Sequence, residues 1–293
     1  MRRHNSWRSH WLGRAARGVF NGVAPFLPGI LVSRINYLLS EWVYVPEGWR
    51  AQHADMKGWT DPGVALAVEQ NWPALVRNLQ GPGPLGVAHF PWSSTRENAG
   101  YHNAMMSFGY VLALAARKKD SISLLDWGGG AGHYHLYSKV LFPQLAVEYH
   151  CYDVPALCEV GRKLLPEAHF HRDAADLAGR QYDLVISSSS LHYFEDWRGV
   201  LRQLAAATGE FLYIARLQMV SRSPSFVVEQ RPYRPGYYTQ CLSWFLNRHE
   251  FLSCADESGL ELVREFVFLE QWAVRGAPEK PEGRGFLFRR RKQ

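Results

Sequence analysis

The chain has 293 residues, of which 47% are hydrophobic, 14% aromatic and 20% charged, and its formal charge is +6. That length makes one large domain, or a medium domain with an extension, and the apolar share supports a sizeable core. Six basic residues (Arg2, Arg3, Arg8, Arg14, Arg17, Arg34) fall in the first forty positions and five (Arg284, Arg289, Arg290, Arg291, Lys292) in the last ten, with no acid in either stretch. Without those eleven, 22 basic residues face 27 acidic ones. A nucleic-acid enzyme carries its basic charge across a binding face, so no nucleic-acid partner is expected. No uninterrupted apolar run reaches about 18 residues, so no transmembrane helix is expected. Cys151, Cys158, Cys241 and Cys254 form no CxxC pair; they read as free thiols of a reducing compartment, which places the protein in the cytoplasm.

In chain order, residues 1–40 form a basic, aromatic leader. Trp7, Trp11, Leu12, Ala15, Val19 and Phe20 share one helical face. Such a segment fits either a membrane-surface helix drawn to anionic lipid or a helix docked on its own domain. A basic start before an apolar stretch also resembles a signal peptide, but Asn21, Pro25, Pro28, Arg34 and Asn36 interrupt it. Residues 41–118 read as a helical cap or lid region. Its turn clusters are Pro46-Glu47-Gly48-Trp49 and Gly58-Trp59-Thr60-Asp61-Pro62-Gly63. A helix is predicted over 62–78, capped by Asp61 or Thr60, with Pro62 in its first turn. Gly81-Pro82-Gly83-Pro84 ends it, and a second helix over 98–118 carries Met105, Phe108, Val111, Leu112 and Ala115 at helical spacing.

Residues 119–293 alternate strand and helix. Strands are predicted over 122–127, 146–152, 169–171, 182–187 and 210–216. Helices fill the intervals after the first, second and fourth of these, and another runs over 247–258. Two closing strands, 261–270 and 285–290, have no helix between them and form an antiparallel hairpin. Alternation of this kind predicts an α/β, doubly wound parallel sheet.

The stretch Leu124-Leu125-Asp126-Trp127-Gly128-Gly129-Gly130-Ala131-Gly132 is a strand end, a tight turn and a helix start. Glycines there let a ligand approach the main chain. The dinucleotide fingerprint GxGxxG fails, because its third glycine falls on His133 counted from Gly128 and on His135 counted from Gly130. The spacing is instead Asp126-x-Gly128-x-Gly130-x-Gly132. An acid two residues before the first glycine repels a pyrophosphate and attracts an ammonium group, so the turn suits the amino-acid end of a ligand.

This pattern resembles motif I of class I S-adenosylmethionine-dependent methyltransferases, and the resemblance continues through four ordered motifs over about residues 110–293. It implies a Rossmann-like, seven-stranded methyltransferase sheet, S-adenosylmethionine as cofactor and S-adenosylhomocysteine as product. Asp126, Gly128, Gly130 and Gly132 then cradle the cofactor. Asp153, 21 residues after Gly132, corresponds to the acid that bonds the ribose hydroxyls, a task for which a carboxylate has two acceptor oxygens. Val154 corresponds to the apolar residue against adenine. Phe170-His171-Arg172-Asp173-Ala174 resembles the motif whose acid meets the adenine amino group, which adds Asp173 and Ala174. Tyr182 to Tyr193 resembles the fourth strand and its loop, which adds Ser188. Tyr101 lies on a segment that in such enzymes lids the cofactor. The chain also resembles a little-characterised bacterial subfamily of methyltransferases, through Leu125–Gly132, Gly100-Tyr101 and the Phe226-x-x-x-Gln230 element.

Methyl transfer needs in-line positioning of the acceptor, and a hydroxyl acceptor needs a base. His192, in the loop after the fourth strand, is the candidate base, with Tyr193 beside it; the alternative is a histidine packed by the cofactor or capping a helix. His102, Arg216, Gln230 and Tyr237 are candidate acceptor contacts. The Arg- and Tyr-rich insert after Arg216 suits an anionic acceptor, or is a solvated loop. His133 and His135 stand two apart, poor spacing for a shared ion on a helix, and no metal is expected. The function predicted is methyl transfer to oxygen or nitrogen of a small-molecule acceptor, a secondary metabolite or a surface-sugar intermediate. The alternatives are an NAD-dependent oxidoreductase and a non-catalytic binding module on the same fold. Nothing in the sequence specifies an oligomeric state.

Overall fold

The computed structural model describes residues 40–85, 99–231, 239–268 and 272–291, with five isolated positions ahead of them. The leader over 1–39, apart from those five, lies outside the described residues, as does Tyr237. Among the described residues no helix is long and apolar enough to cross a membrane.

Seven strands form the main sheet in the order β4 (His169–His171), β3 (Ala146–Tyr152), β2 (Ser121–Trp127), β5 (Tyr182–Ser188), β6 (Thr208–Val220), β11 (Glu282–Arg290) and β9 (Leu260–Phe268). The first five run parallel, and β11 is antiparallel to both of its neighbours. The central strands are buried on both faces, which is why β2 and β5 read as nearly continuous apolar runs. The chain turns outward in opposite directions from β2 and β5, so the strand order reverses between them. In open α/β sheets the carboxyl edge at such a reversal is where ligands sit.

Helices cover both faces. On one lie α1 (Pro62–Gln80), α2 (Ala99–Ala115), α3 (His133–Leu141) and α4 (Pro155–Leu164); on the other lie α5 (Trp197–Ala207) and α6 (Arg248–Glu257). Asp61 caps α1 by accepting the Gly63 N–H at 2.9 Å, with Pro62 opening the helix. The apolar face read on α2 is its buried face: Met105, Phe108, Val111, Leu112 and Ala115 are all within 5% of full burial. On α5, Trp197, Val200, Leu201 and Leu204 recur at helical spacing and face the second core.

Four further strands form an extension to which the sequence reading assigns no strand. β6 overshoots the main sheet, and its last residues pair with β8 (Cys241–Asn247). β8 pairs with β7 (Phe226–Gln230), β7 with β1 (Trp42–Tyr44), and β1 with β10 (Val274–Arg275). A third core of Trp42, Val220, Phe226, Val228, Phe245 and Val274 fills this extension. β1 and β10 are only three and two residues long and come from opposite ends of the described chain, so no local alternation announces them. The basic C-terminus is partly structural: Arg290 Nη1 donates to the carbonyls of Ala206 and Thr208 at 2.9 and 2.8 Å, satisfying the end of α5.

Phe245 is fully buried, with its ring 5.6 Å from Trp42 and 5.5 Å from Phe226. Phe245→Ala is expected to lower the unfolding free energy by about 3–5 kcal/mol, read by urea denaturation; a loss under about 1 kcal/mol would show that the extension does not share the cooperative core.

Candidate active site

The glycine turn is built by close packing as well as by backbone freedom. Gly128 has φ +74°, and a Cβ there would stand 2.3 Å from Ser190 Cβ. Ser190 occupies that space because its Oγ donates to the Trp127 carbonyl at 2.7 Å, locking the end of β2 to the loop after β5. Gly130, at φ +62°, meets only the His133 ring, 3.4 Å from a built Cβ and at ordinary contact distance, so it is not crowded as Gly128 is. Gly132 instead backs onto Leu165 and Phe170 and opens α3, so it serves helix packing.

Asp153 closes the turn from β3. Its Oδ2 accepts the Gly130 N–H and its Oδ1 the Val154 N–H, each at 2.7 Å. Each oxygen keeps an acceptor position beyond these bonds. Burial raises its pKa to about 6 against the lowering effect of both N–H donors. The Tyr152 and Trp127 rings pack against each other beside it, tilted, with centroids 4.3 Å apart. Asp173 is exposed and caps the short 3-10 turn Ala174–Leu177, accepting the Ala175 N–H at 2.9 Å, while Ala174 is half-buried. Val154, also half-buried, opens α4.

Asp126 lies beneath the turn, not on its open side. It is 0% exposed, its Oδ2 accepts the Tyr149 hydroxyl proton, and a Cβ on Gly129 would strike its carboxyl. Burial raises its pKa to about 7. Its Oδ1 is buried without a partner among the described residues. The turn therefore covers Asp126 and leaves only this one oxygen without a partner.

A second group of side chains gathers at the ends of β5 and β6. Ala215 and Arg216 together oppose the single residue Gly285 of β11, since Ile214 pairs with Phe286 and Leu217 with Arg284. This bulge holds Arg216 at φ +57°, and Ser189 of the adjoining loop at φ +56°. Such left-handed non-glycine residues cluster where a side chain must be aimed. The Arg216 guanidinium lies 4.6 Å over the Tyr101 ring. His102 follows on α2, half-buried, with its Nδ1 buried and unpartnered. Ser188 accepts the Tyr134 hydroxyl proton at 2.8 Å. Tyr193 donates to Gln230 Oε1 at 2.5 Å and packs on Trp59 at 5.2 Å, so β7 and the turn before α1 both reach the loop after β5.

His192 departs from the expectation of an accessible base. It is 0% exposed, neither ring nitrogen has a hydrogen-bond partner among the described residues, and burial together with the nearby Arg216 charge lowers its pKa to about 3. In this state the ring is neutral and a weak base. His133 packs on Trp72 and His135 on Tyr149, on different sides of α3, so they do not converge. Sequence reasoning missed the aromatic partners Tyr134 and Trp59 and the bulge itself; the bulge has no sequence signal, because it depends on pairing with a strand about seventy residues away.

A methyltransferase-domain family matches residues 102–265, more than half of the chain. The fold places the four motifs around one edge in the order that the sequence resemblance requires. The chain belongs to the class I S-adenosylmethionine-dependent methyltransferases. Among solved structures it is similar to magnesium protoporphyrin IX methyltransferase from Synechocystis PCC 6803 with bound S-adenosylmethionine, at 15% identity and a TM-score of 0.46, covering 82% of this chain and 100% of that one. It is also similar to 1,6-didemethyltoxoflavin-N1-methyltransferase from Burkholderia thailandensis, at 13% identity and a TM-score of 0.46, covering 78% and 90%. Likeness at this level carries no argument about the acceptor. No curated protein matches the chain.

The residues present fit this cofactor. The uncrowded, left-handed backbone at Gly130 and the spare acceptor positions on the two Asp153 oxygens suit an amino acid joined to a ribose. A raised Asp126 pKa also has a thermodynamic consequence. The folded chain holds this proton up to about pH 7, whereas the unfolded chain releases it near 3.8. The folded state therefore binds more protons between these values, and stability falls as pH rises through that window. Asp126→Asn is expected to remove this contribution, so the stability of the wild type relative to the variant should decline between about pH 4 and 7, by up to about 1.4 kcal/mol per pH unit. Parallel denaturation curves across that range would show it; curves of equal slope would mean that Asp126 is ionised in the folded protein.

Proposed function

We propose that the protein methylates an oxygen or nitrogen of a small anionic acceptor, with Asp126, Gly128, Gly130, Asp153, Val154, Asp173, Ala174 and Ser188 framing the cofactor and Tyr101 covering it. The observation that carries this reading is the β6 bulge, which turns the Arg216 guanidinium over Tyr101 beside the unpartnered ring of His192. A planar, permanently charged group at a site's edge suits a carboxylate or phosphate. Both a secondary metabolite and a surface-sugar intermediate meet that description.

Bound S-adenosylmethionine supplies a methyl group already activated by its sulfonium charge. The chain's task is to aim the acceptor and, for a hydroxyl, to take its proton. Arg216 anchors the anion. The Tyr193–Gln230 pair, with His102, borders the remaining space, and Tyr237, outside the described residues, is kept as a candidate acceptor contact. His192 is the proton acceptor only in the loaded site. Burial and Arg216 hold its pKa down in the free protein, and an acceptor anion that neutralises Arg216 removes one of those two causes. The neighbouring side chains must part for the acceptor to reach the ring. We place the enzyme in the cytoplasm, where its free cysteines stay reduced, and assign the leader the role of a membrane-surface contact or a docked helix.

Incubation with methyl-labelled S-adenosylmethionine and a cell extract should put label into small molecules retained by an anion exchanger. Label in protein or nucleic acid, or in neutral or cationic small molecules alone, would overturn the proposal. Arg216→Gln should raise KM for that acceptor about tenfold or more, as loss of a charge-assisted hydrogen bond requires. Affinity for S-adenosylhomocysteine should stay unchanged. An equal loss of both would assign Arg216 to the cofactor.

A further inference from the structure

A group of histidines lies outside the methyl-transfer edge, on β3 and the sheet's edge strand β4. Parallel pairing sets His150 opposite His169, and Glu148 and His171 lie two residues along their strands on the same face. The His150 ring stacks on His169 at 4.7 Å and on His171 at 5.3 Å. His150 Nε2 is 3.1 Å from Glu148 Oε1, and His150 Nδ1 is 3.0 Å from His171 Nε2. One ligand atom each from Glu148, His150 and His169 lies within 4.8 Å of the others.

We propose that Glu148, His150 and His169 bind a borderline divalent transition-metal ion, of which zinc is the representative. Two imidazoles and one carboxylate are the donor set of such ions, whereas calcium and magnesium require oxygen throughout. Bonds of about 2.0–2.1 Å in a tetrahedral site put donor atoms about 3.3 Å apart, close to the His150–Glu148 separation. His150 is buried, so its ring is fixed, while Glu148 and His169 are exposed and free to close on the ion from solvent. His171 acts through His150: its contact at Nδ1 orients the ring and leaves Nε2 for the ion, as partners of metal-bound histidines do. A water fills the fourth position. Asp176 and Arg180 also reach this cluster, so its surroundings carry both signs of charge.

The ion would clamp the edge strand to the rest of the sheet. That edge adjoins the cofactor side of the molecule, because the Asp153 N–H donates to the His171 carbonyl and Asp173 follows two residues later. The role is structural, with no part in methyl transfer.

Calorimetric titration of zinc into full-length, tag-free protein stripped with EDTA tests the site. One zinc per chain with micromolar affinity is expected, together with a rise in Tm. His169→Ala and Glu148→Gln, both surface changes, should each weaken zinc binding about tenfold or more, and the double variant should lose it. His249→Ala, on α6, should leave it intact. Cobalt should give the visible absorption of a tetrahedral site in the wild type and not in the double variant. Circular dichroism of the metal-free forms should match. No zinc uptake by the wild type, or equal uptake by the double variant, would overturn the assignment.

Discussion

One carboxylate that accepts two backbone N–H groups sets the geometry of the cofactor edge. Asp153 stands at the end of β3, yet one of its bonds reaches back to Gly130 in the turn that follows β2. That bond fixes the turn relative to the neighbouring strand, while Ser190 wedges it from the opposite side beneath Gly128. The turn is thus held between β3 and β5, the strands on either side of β2. Placing it at the reversal of strand order gives a ligand a crevice between the two halves of the sheet. The same packing explains the buried Asp126: the turn that must approach the ligand also seals the acid below it.

The second constraint is the overshoot of β6. A strand that ended with β5 would leave Arg216 at the sheet's end. Here β6 continues to Val220, and the extra residue at the bulge swings Arg216 out over α2 toward Tyr101. Beyond the bulge, β6 hands the chain to β8, and the extension brings Gln230 to Tyr193 and the turn before α1 to the same loop. The cofactor turn and the proposed acceptor side are therefore built by different devices, a glycine turn clamped by one acid and a bulge that feeds an added sheet.

These devices differ in how far they can be read from sequence. The turn is local: Asp126 to Gly132, with Asp153 one strand later, carries its own signature, and the burial of β2 and β5 follows from their apolar runs. The apolar stripe of α2 and the Asp61 cap are legible for the same reason. The extension is not, because β1 and β10 are very short and join it across large separations, and short strands lack the periodicity that marks a helix. His192 shows the other limit. Its residue type and its place after β5 identify a candidate base, but burial and an adjacent cation decide its charge, and both arise only in the folded chain. The histidines of β3 and β4 are invisible as a group until strand register brings them together.

The claim on which the rest stands is that Asp153 and the glycine turn together hold S-adenosylmethionine. Isothermal titration of the wild type and of Asp153→Ala with S-adenosylmethionine, S-adenosylhomocysteine and NADH tests it directly, with circular dichroism to show that the variant is folded. The wild type should bind both methyl-donor ligands and not NADH. The variant should bind them about a hundredfold more weakly, the equivalent of two hydrogen bonds to a charged group at about 1.5 kcal/mol each. Binding of NADH in place of S-adenosylmethionine, or equal affinity in a folded Asp153→Ala variant, would contradict the account.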